Sequence, residues 1–348
     1  MRKLLRIVVV GLGVAVTTAA VLFLVVGPIW EQYRRRQAAL EFPAPGKLVN
    51  IGGRLIQIDC RGTGSPTVVF ESGLDVVGSL SWTKVHAPVA QFTRACAYSR
   101  AGIMWSDRKD GLHDGLAAAH DLHSTLEAAG EKGPFVLVGH SLGGPYITIF
   151  TKHFGDEVAG LVYVDASHPD QIKLFDAALP GKHVGSAGLP TVVRVAACLS
   201  WTGVARFISL FEPLDVNPNM PPEVVNTAEA FISKSLGTVV SEADAFSATL
   251  DEAGQFRALG SRPIVVLTAM KPPSETELET AGLSKVDGER MRSIWLAMHR
   301  DMASWSSRSA HRVLDDASHA IQFDRPDAVI AAVREVVDSV RADTHQHF

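Results

Sequence analysis

Phe135-Val136-Leu137-Val138-Gly139-His140-Ser141-Leu142-Gly143-Gly144 passes from a short apolar run straight into a glycine-flanked serine, and the reading of this junction decides the fold. The run before Gly139 is too short for a helix and rich in valine, so it reads as a buried central strand of a parallel sheet. Small residues two before and two after Ser141 permit a sharp strand-to-helix turn that exposes the serine hydroxyl. A helix over 141–154 follows. Outward from there, Val158–Val164 repeats the buried-strand pattern, as do Thr67–Glu71, 95–99, 263–268 and 312–314. Segments 47–51 and 54–59 form a hairpin across Gly52-Gly53, and helices are expected over Gly115–Ala129 and 326–340. Strands alternating with helices imply an α/β domain whose central sheet is mostly parallel and flanked by helices.

One stretch breaks that rhythm. Residues 168–262 hold helical pieces over 191–211 and 222–236 but no strand pattern, which reads as a helical cap over the carboxyl ends of the strands. The expected division is therefore a core built from 47–167 and 263–348, interrupted by the cap. Val192, Val193, Leu199, Trp201, Phe207, Leu210 and Phe211 make the cap apolar and point to an apolar acyl or alcohol pocket.

The amino-terminal end is of another kind. After Arg2, Lys3 and Arg6 comes a run over 7–30 with no charged side chain, about the 20 residues that a bilayer-spanning helix needs. It is longer than the apolar core of a cleaved signal peptide. Trp30 and Tyr33 stand where interfacial aromatics belong, followed by Arg34, Arg35 and Arg36. Residues 1–36 thus read as a single-pass membrane anchor with its basic flank, and 37–46 as a linker. A chain lacking 1–36 is expected to stay soluble and active. The two basic flanks nearly balance; the amino terminus adds one charge, which favours the amino terminus inside and the domain outside the cytoplasm.

Composition narrows the function. The 348 residues carry a formal net charge of -4, so a nucleic-acid partner is disfavoured. Cys60, Cys96 and Cys198 are too few for a disulfide scaffold, and no Cys-x-x-Cys pair or His/Cys cluster marks a metal site. Their ordinary reading is buried packing. In a domain outside the cytoplasm an oxidised pair with the third cysteine left over stays open, and the sequence does not choose which pair. No cofactor or metal is expected.

The chain resembles the α/β-hydrolase superfamily over about 47–340. The resemblance is carried by Phe70-Glu-Ser-Gly-Leu-Asp, Ala97-Tyr-Ser-Arg-Ala-Gly-Ile-Met-Trp-Ser, Gly139-His-Ser-Leu-Gly-Gly, Leu161-Val-Tyr-Val-Asp-Ala-Ser-His-Pro-Asp and Ala317-Ser-His-Ala-Ile-Gln-Phe-Asp-Arg-Pro. It implies an α/β-hydrolase fold and a triad in the chain order Ser, acid, His. A serine hydroxyl needs a base within hydrogen-bond reach. Ser141 is then the nucleophile and His319, in a loop between the last strand and the last helix, the base. His140 reads as packing and His168 as a residue of the cap entrance. The oxyanion of acyl transfer needs two backbone donors. Leu142 supplies one, and Leu74 the other, because Glu71-Ser72-Gly73-Leu74 stands where relatives carry His-Gly-x. Many relatives have Asp at the place of Ser99, a departure that leaves the triad untouched.

The acid is the open position. The superfamily's usual acid follows the strand over 263–268, where the first carboxylates are Glu275 and Glu277. Some relatives place it after the preceding strand, where Asp165 stands, and Asp165 is the choice made here. The expected activity is hydrolysis of a carboxylic ester, lipophilic in character, through an acyl-enzyme on Ser141. A serine nucleophile argues against epoxide-hydrolase and dehalogenase chemistry, which use a carboxylate on this fold. Lactone, amide, thioester or carbon–carbon bond cleavage and acyl transfer remain open with the same residues. So does a different class, a membrane-tethered ligand-binding protein on a dead hydrolase scaffold.

Overall fold

A computed structural model describes residues 2–346 except 183, 212, 213 and 215. Its centre is one sheet of eight strands: β1 (Lys47–Asn50), β2 (Leu55–Arg61), β3 (Thr67–Glu71), β4 (Ala95–Tyr98), β5 (Phe135–His140), β6 (Val158–Val164), β7 (Ile264–Ala269) and β8 (Ser309–Leu314). They lie in the order β1-β2-β4-β3-β5-β6-β7-β8. Strands β1 and β2 pair antiparallel, as do β2 and β4, and all remaining neighbours are parallel.

The valine-rich strands sit centrally because both of their faces are covered. Val69, Leu137, Leu161, Tyr163 and Val266 face one apolar cluster with Leu122, Ile147 and Phe150. The alternate residues Val68, Phe70, Val136, Val138, Val162, Val164, Val265 and Leu267 face a second with Val329, Val333, Val336 and Val337 of the closing helix Pro326–Gln346. Period-two alternation thus delivers each strand to both layers at once. Truncating any of these wholly buried side chains to Ala is expected to cost about 2–5 kcal/mol.

Cys60 and Cys96 lie directly opposite one another across β2 and β4 and are joined by a disulfide, whereas Cys198 is free and exposed. Cross-strand register is the physical reason for that pair. Among the described residues of 168–254 there are only helices and loops: Gln171–Ala178, Thr191–Cys198, Val204–Ser209, Pro222–Asp244 and Phe246–Gly254, with a 3-10 turn at Ser200–Thr202.

The amino-terminal segment is helical over Arg2–Val21, π-helical over Leu22–Val26 and helical again over Gly27–Glu41. From Val9 to Glu41 it is long and apolar enough to cross a bilayer. The stretch read as a linker differs from expectation, since 37–41 continue the helix. Ala38 is buried there, and the Phe42 carbonyl accepts a bond from Trp105 Nε1 at 2.8 Å. Glu31 is buried too. It takes Arg35 Nε at 2.7 Å and Arg206 Nε at 3.0 Å, the latter from the cap. Residues 27–41 are therefore packed against the cap. Removing 1–36 would take away Glu31 and much of this packing and leave Arg206 facing water with the Ala230 carbonyl as a partner, so the anchor segment also covers part of the cap.

Candidate active site

Register sets the site. His140 at the end of β5 lies beside Val164 at the end of β6, so Ser141 and Asp165 leave adjacent strands at the same edge. Ser141 adopts φ 52°, a left-handed conformation that a residue with a side chain rarely takes. The turn is fixed by Ser141 N donating to Val164 O at 3.2 Å and by Gly144 N and Ser167 N donating to Ser141 O at 3.0 and 2.9 Å. A Cβ on Gly139 would stand 2.5 Å from the Gly143 carbonyl oxygen, and one on Gly143 2.5 Å from that of Glu71. Any other residue at either position would open the turn.

Asp165 also has a positive φ, 41°, and its side chain is buried. Its Oδ2 accepts from His319 Nδ1 at 2.7 Å, while Oδ1 accepts from Ala269 N and from Trp295 Nε1, each at 2.8 Å. Burial pushes this carboxyl up, but the bond and charge of His319, His299 and the Trp295 bond outweigh it, so the pKa falls below the ordinary aspartate value. His319 itself is half exposed, its side chain at 54 %. Holding Nδ1–H on Asp165 leaves Nε2 as the acceptor, the tautomer of a base. Its loop is tied by His140, whose Nε2 bonds the His319 carbonyl at 2.9 Å. Burial holds the His140 ring neutral, with the pKa pushed down to about 3. No hydrogen bond joins Ser141 Oγ to His319 among the described residues.

Glu275 and Glu277 lie elsewhere. Both are in the short exposed helix Glu275–Thr280, where Glu277 closes a capping box with Ser274, and neither touches His319. Glu277 lines a cavity of about 440 Å³ that also borders Asp165 and His319. Phe175, Met291 and Trp295 form its apolar wall, from Gln171–Ala178 and the helix Lys285–Ala303. The apolar side chains expected to make a pocket, Trp201, Phe207, Leu210 and Phe211 among them, do not line it; they point outward.

Above the serine runs the loop 71–75. A Cβ on Gly73 would come within 2.9 Å of Ser141 Cβ, so the loop passes directly over the turn. The amides of Leu142 and Leu74 donate no hydrogen bond to described residues and stay available. Arg100 holds the loop from beneath. Its Nη1 donates to Glu71 Oε1 at 2.7 Å and Ser72 O at 2.8 Å, and its Nη2 to Gly73 O at 2.7 Å. Glu242 of the cap takes the other side of the same guanidinium at 2.8 Å, twice. Burial raises Glu71 to about 7, against the pull of Arg100 and the Tyr98 hydroxyl. Ser99, where relatives carry Asp, donates to Gln57 Oε1 at 2.8 Å and braces the turn at Ser79.

Sequence reasoning passed over Trp295, His299, Thr268, Arg100 and Glu242. His299 is wholly buried, its Nδ1 2.7 Å from the Thr268 hydroxyl, its Nε2 2.9 Å from Ala166 O, and its pKa pushed down to about 4 by burial. The one available signal was the spacing of Trp295 and His299, four apart on one helix and so on one face.

The model of the Alpha/beta hydrolase family matches residues 51–332, and the chain belongs to that family. An uncharacterized protein of Schizosaccharomyces pombe is 38% identical over 82 residues, 23% of this chain and 15% of that protein, so the chain matches only a small part of that relative's length. The uncharacterized protein YqjL of Bacillus subtilis is 22% identical over 277 residues, 79% of this chain and 85% of its own. A thermophilic esterase from Thermogutta terrifontis superposes with TM-score 0.55 at 20% identity, covering 84% of this chain and 97% of that one. At that identity the likeness shows the fold.

Proposed function

We propose that this protein is a membrane-anchored serine hydrolase that cleaves a lipophilic carboxylic ester through an acyl-enzyme on Ser141. The observation that carries the reading is the 2.7 Å bond from His319 Nδ1 to a buried, ionised Asp165 one strand away from the serine turn. Ser141 Oγ attacks the ester carbonyl carbon while His319 Nε2 takes its proton. The oxyanion forms against the Leu142 and Leu74 amides. His319 then returns the proton to the departing alkoxide, and water repeats the sequence to release the acid and free Ser141. No metal enters any step.

The apolar wall of Phe175, Met291 and Trp295 supports an apolar group on the ester, and the helix from Val9 supports a bilayer location. The Cys60–Cys96 disulfide favours placing the domain on an oxidising side of that bilayer. A fluorophosphonate probe tests the assignment. Labelling should map to Ser141 and vanish in Ser141→Ala. Each of Ser141→Ala and His319→Ala should lower ester turnover about 10³-fold or more, and the double variant no further, because the two act as a unit. Folded wild-type protein that takes no label would sink the enzyme reading in favour of a ligand-binding scaffold.

A further inference from the structure

The cap stretch 191–211 turns its apolar side chains away from the protein. Val192, Val195, Trp201, Phe207, Leu210 and Phe211 are 63, 51, 48, 57, 69 and 72% exposed. The stretch has only two charged residues: Arg194, partly exposed and paired with the exposed Asp244, and Arg206, buried against Glu31. Apolar surface concentrated in this way marks an interaction site rather than ordinary exposure.

Its position identifies the partner. The turn Ser200–Thr202 packs against both Gly27–Glu41 and Leu22–Val26, and a Cβ on Gly203 would meet the Trp30 ring at 2.9 Å. Trp30 is the interfacial aromatic at the end of the apolar run. Val26 is four residues earlier, about 6 Å further along the helix axis toward the membrane interior. An element that touches Leu22–Val26 therefore reaches the depth of the acyl chains wherever that run spans a bilayer. The Glu31–Arg206 pair, buried on both sides, ties the cap face to the anchor.

We propose that the cap face 191–211 is seated in the interfacial layer of the same bilayer that holds the anchor, with a lipid surface as its partner. The inference rests on reading residues 7–30 as a membrane span. A helix lying in the interface buries its apolar side about 5–10 Å deep and keeps charge off that side, as this stretch does. The active-site domain then hangs from two contacts with the membrane, and an ester dissolved in the lipid meets the cap without crossing water.

Cys198, free and exposed on this face, is a native handle. The full chain, reconstituted in phosphatidylcholine vesicles, is labelled there with an environment-sensitive fluorophore and read for quenching by lipids carrying nitroxides on their acyl chains. A Val14→Cys, Cys198→Ser chain reports the span in the same way. Quenching at both positions, with a blue-shifted emission at Cys198 that reverts in Phe207→Glu/Leu210→Glu/Phe211→Glu, is the expected result. Quenching at position 14 with a water-like, unquenched Cys198 overturns this inference and leaves the anchor standing. No quenching at either position overturns both.

Discussion

The loops after β6 and β7 both leave the carboxyl edge of the sheet, both carry carboxylates, and both border the cavity beside His319. They differ in what surrounds the charge. Asp165 follows β6 at once, buried, with donors from three elements aimed at its two oxygens. Glu277 sits eight residues beyond β7, on the surface, its carboxylate engaged with Ser274 of its own capping box. A buried carboxylate with matched donors is stiff and dehydrated, whereas an exposed one in water is screened and mobile. Both its place directly after the strand and the donors aimed at it support Asp165 over Glu277 as the acid of the proposed triad.

The sharpest break of this comparison is Asp165→Asn set against Glu275→Gln and Glu277→Gln. Asn tolerates the left-handed backbone of position 165, so the fold should survive. Its single carbonyl oxygen is expected to face the Ala269 and Trp295 donors, which turns the amide NH₂ toward His319 Nδ1. That forces the proton onto Nε2 and removes the base. Turnover should fall about 10³-fold or more with unchanged secondary structure, while the two glutamate variants stay within about twofold. Inactive Glu277→Gln with active Asp165→Asn would transfer the role to the later loop.

A second measurement probes the buried shell that makes the β6 loop different. His299 is neutral in the fold, with its pKa lowered to about 4 from 6.5, so the unfolded chain binds a proton first as pH falls. Stability from this ring is fully present above pH 6.5 and is lost progressively toward pH 4, by about 3 kcal/mol over that window. His140, pushed down to about 3, acts in the same direction and Glu71, raised to about 7, in the opposite one, so the readout is a comparison: on going from pH 7 to pH 5 the denaturant midpoint of His299→Gln, which cannot titrate, should fall less, or rise more, than that of the wild type. Equal slopes in the two proteins would remove His299 from the explanation.

The parts of this arrangement that were legible in the sequence are those that repeat a local rule. The valine-rich runs announced β3, β5, β6 and β7, and glycines at 139 and 143 announced the serine turn. What escaped depends on contacts between distant segments. Arg100 meets Glu242 across the cap boundary, and Trp295 reaches Asp165 from the helix after β7. Nothing local tells a tryptophan on an amphipathic helix that its N–H will meet a carboxylate. The apolar cap residues misled for the same reason, since hydrophobicity says that a side chain avoids water but not whether protein or lipid receives it.

The smallest effect expected is that of Trp295→Phe. The indole N–H is one of two donors on Asp165 Oδ1, and Ala269 N remains when it is gone. A bond to a charged acceptor contributes about 1.5–3 kcal/mol, and part of that is recovered by the second donor, so kcat should fall about tenfold rather than a thousandfold. Because the ring also walls the cavity, KM for a long ester is a poor readout of this loss. The rate of labelling by a small fluorophosphonate is a better one, since it depends on Ser141 and His319 and does not fill the cavity. Loss of a donor should also raise the Asp165 pKa and shift the acid limb of the labelling rate upward in pH, a change that simple loosening of the cavity wall would not cause. An unchanged labelling rate and pH profile would mean that Ala269 and His319 alone fix Asp165, and the contrast between the two loops would then rest on burial and not on the number of donors.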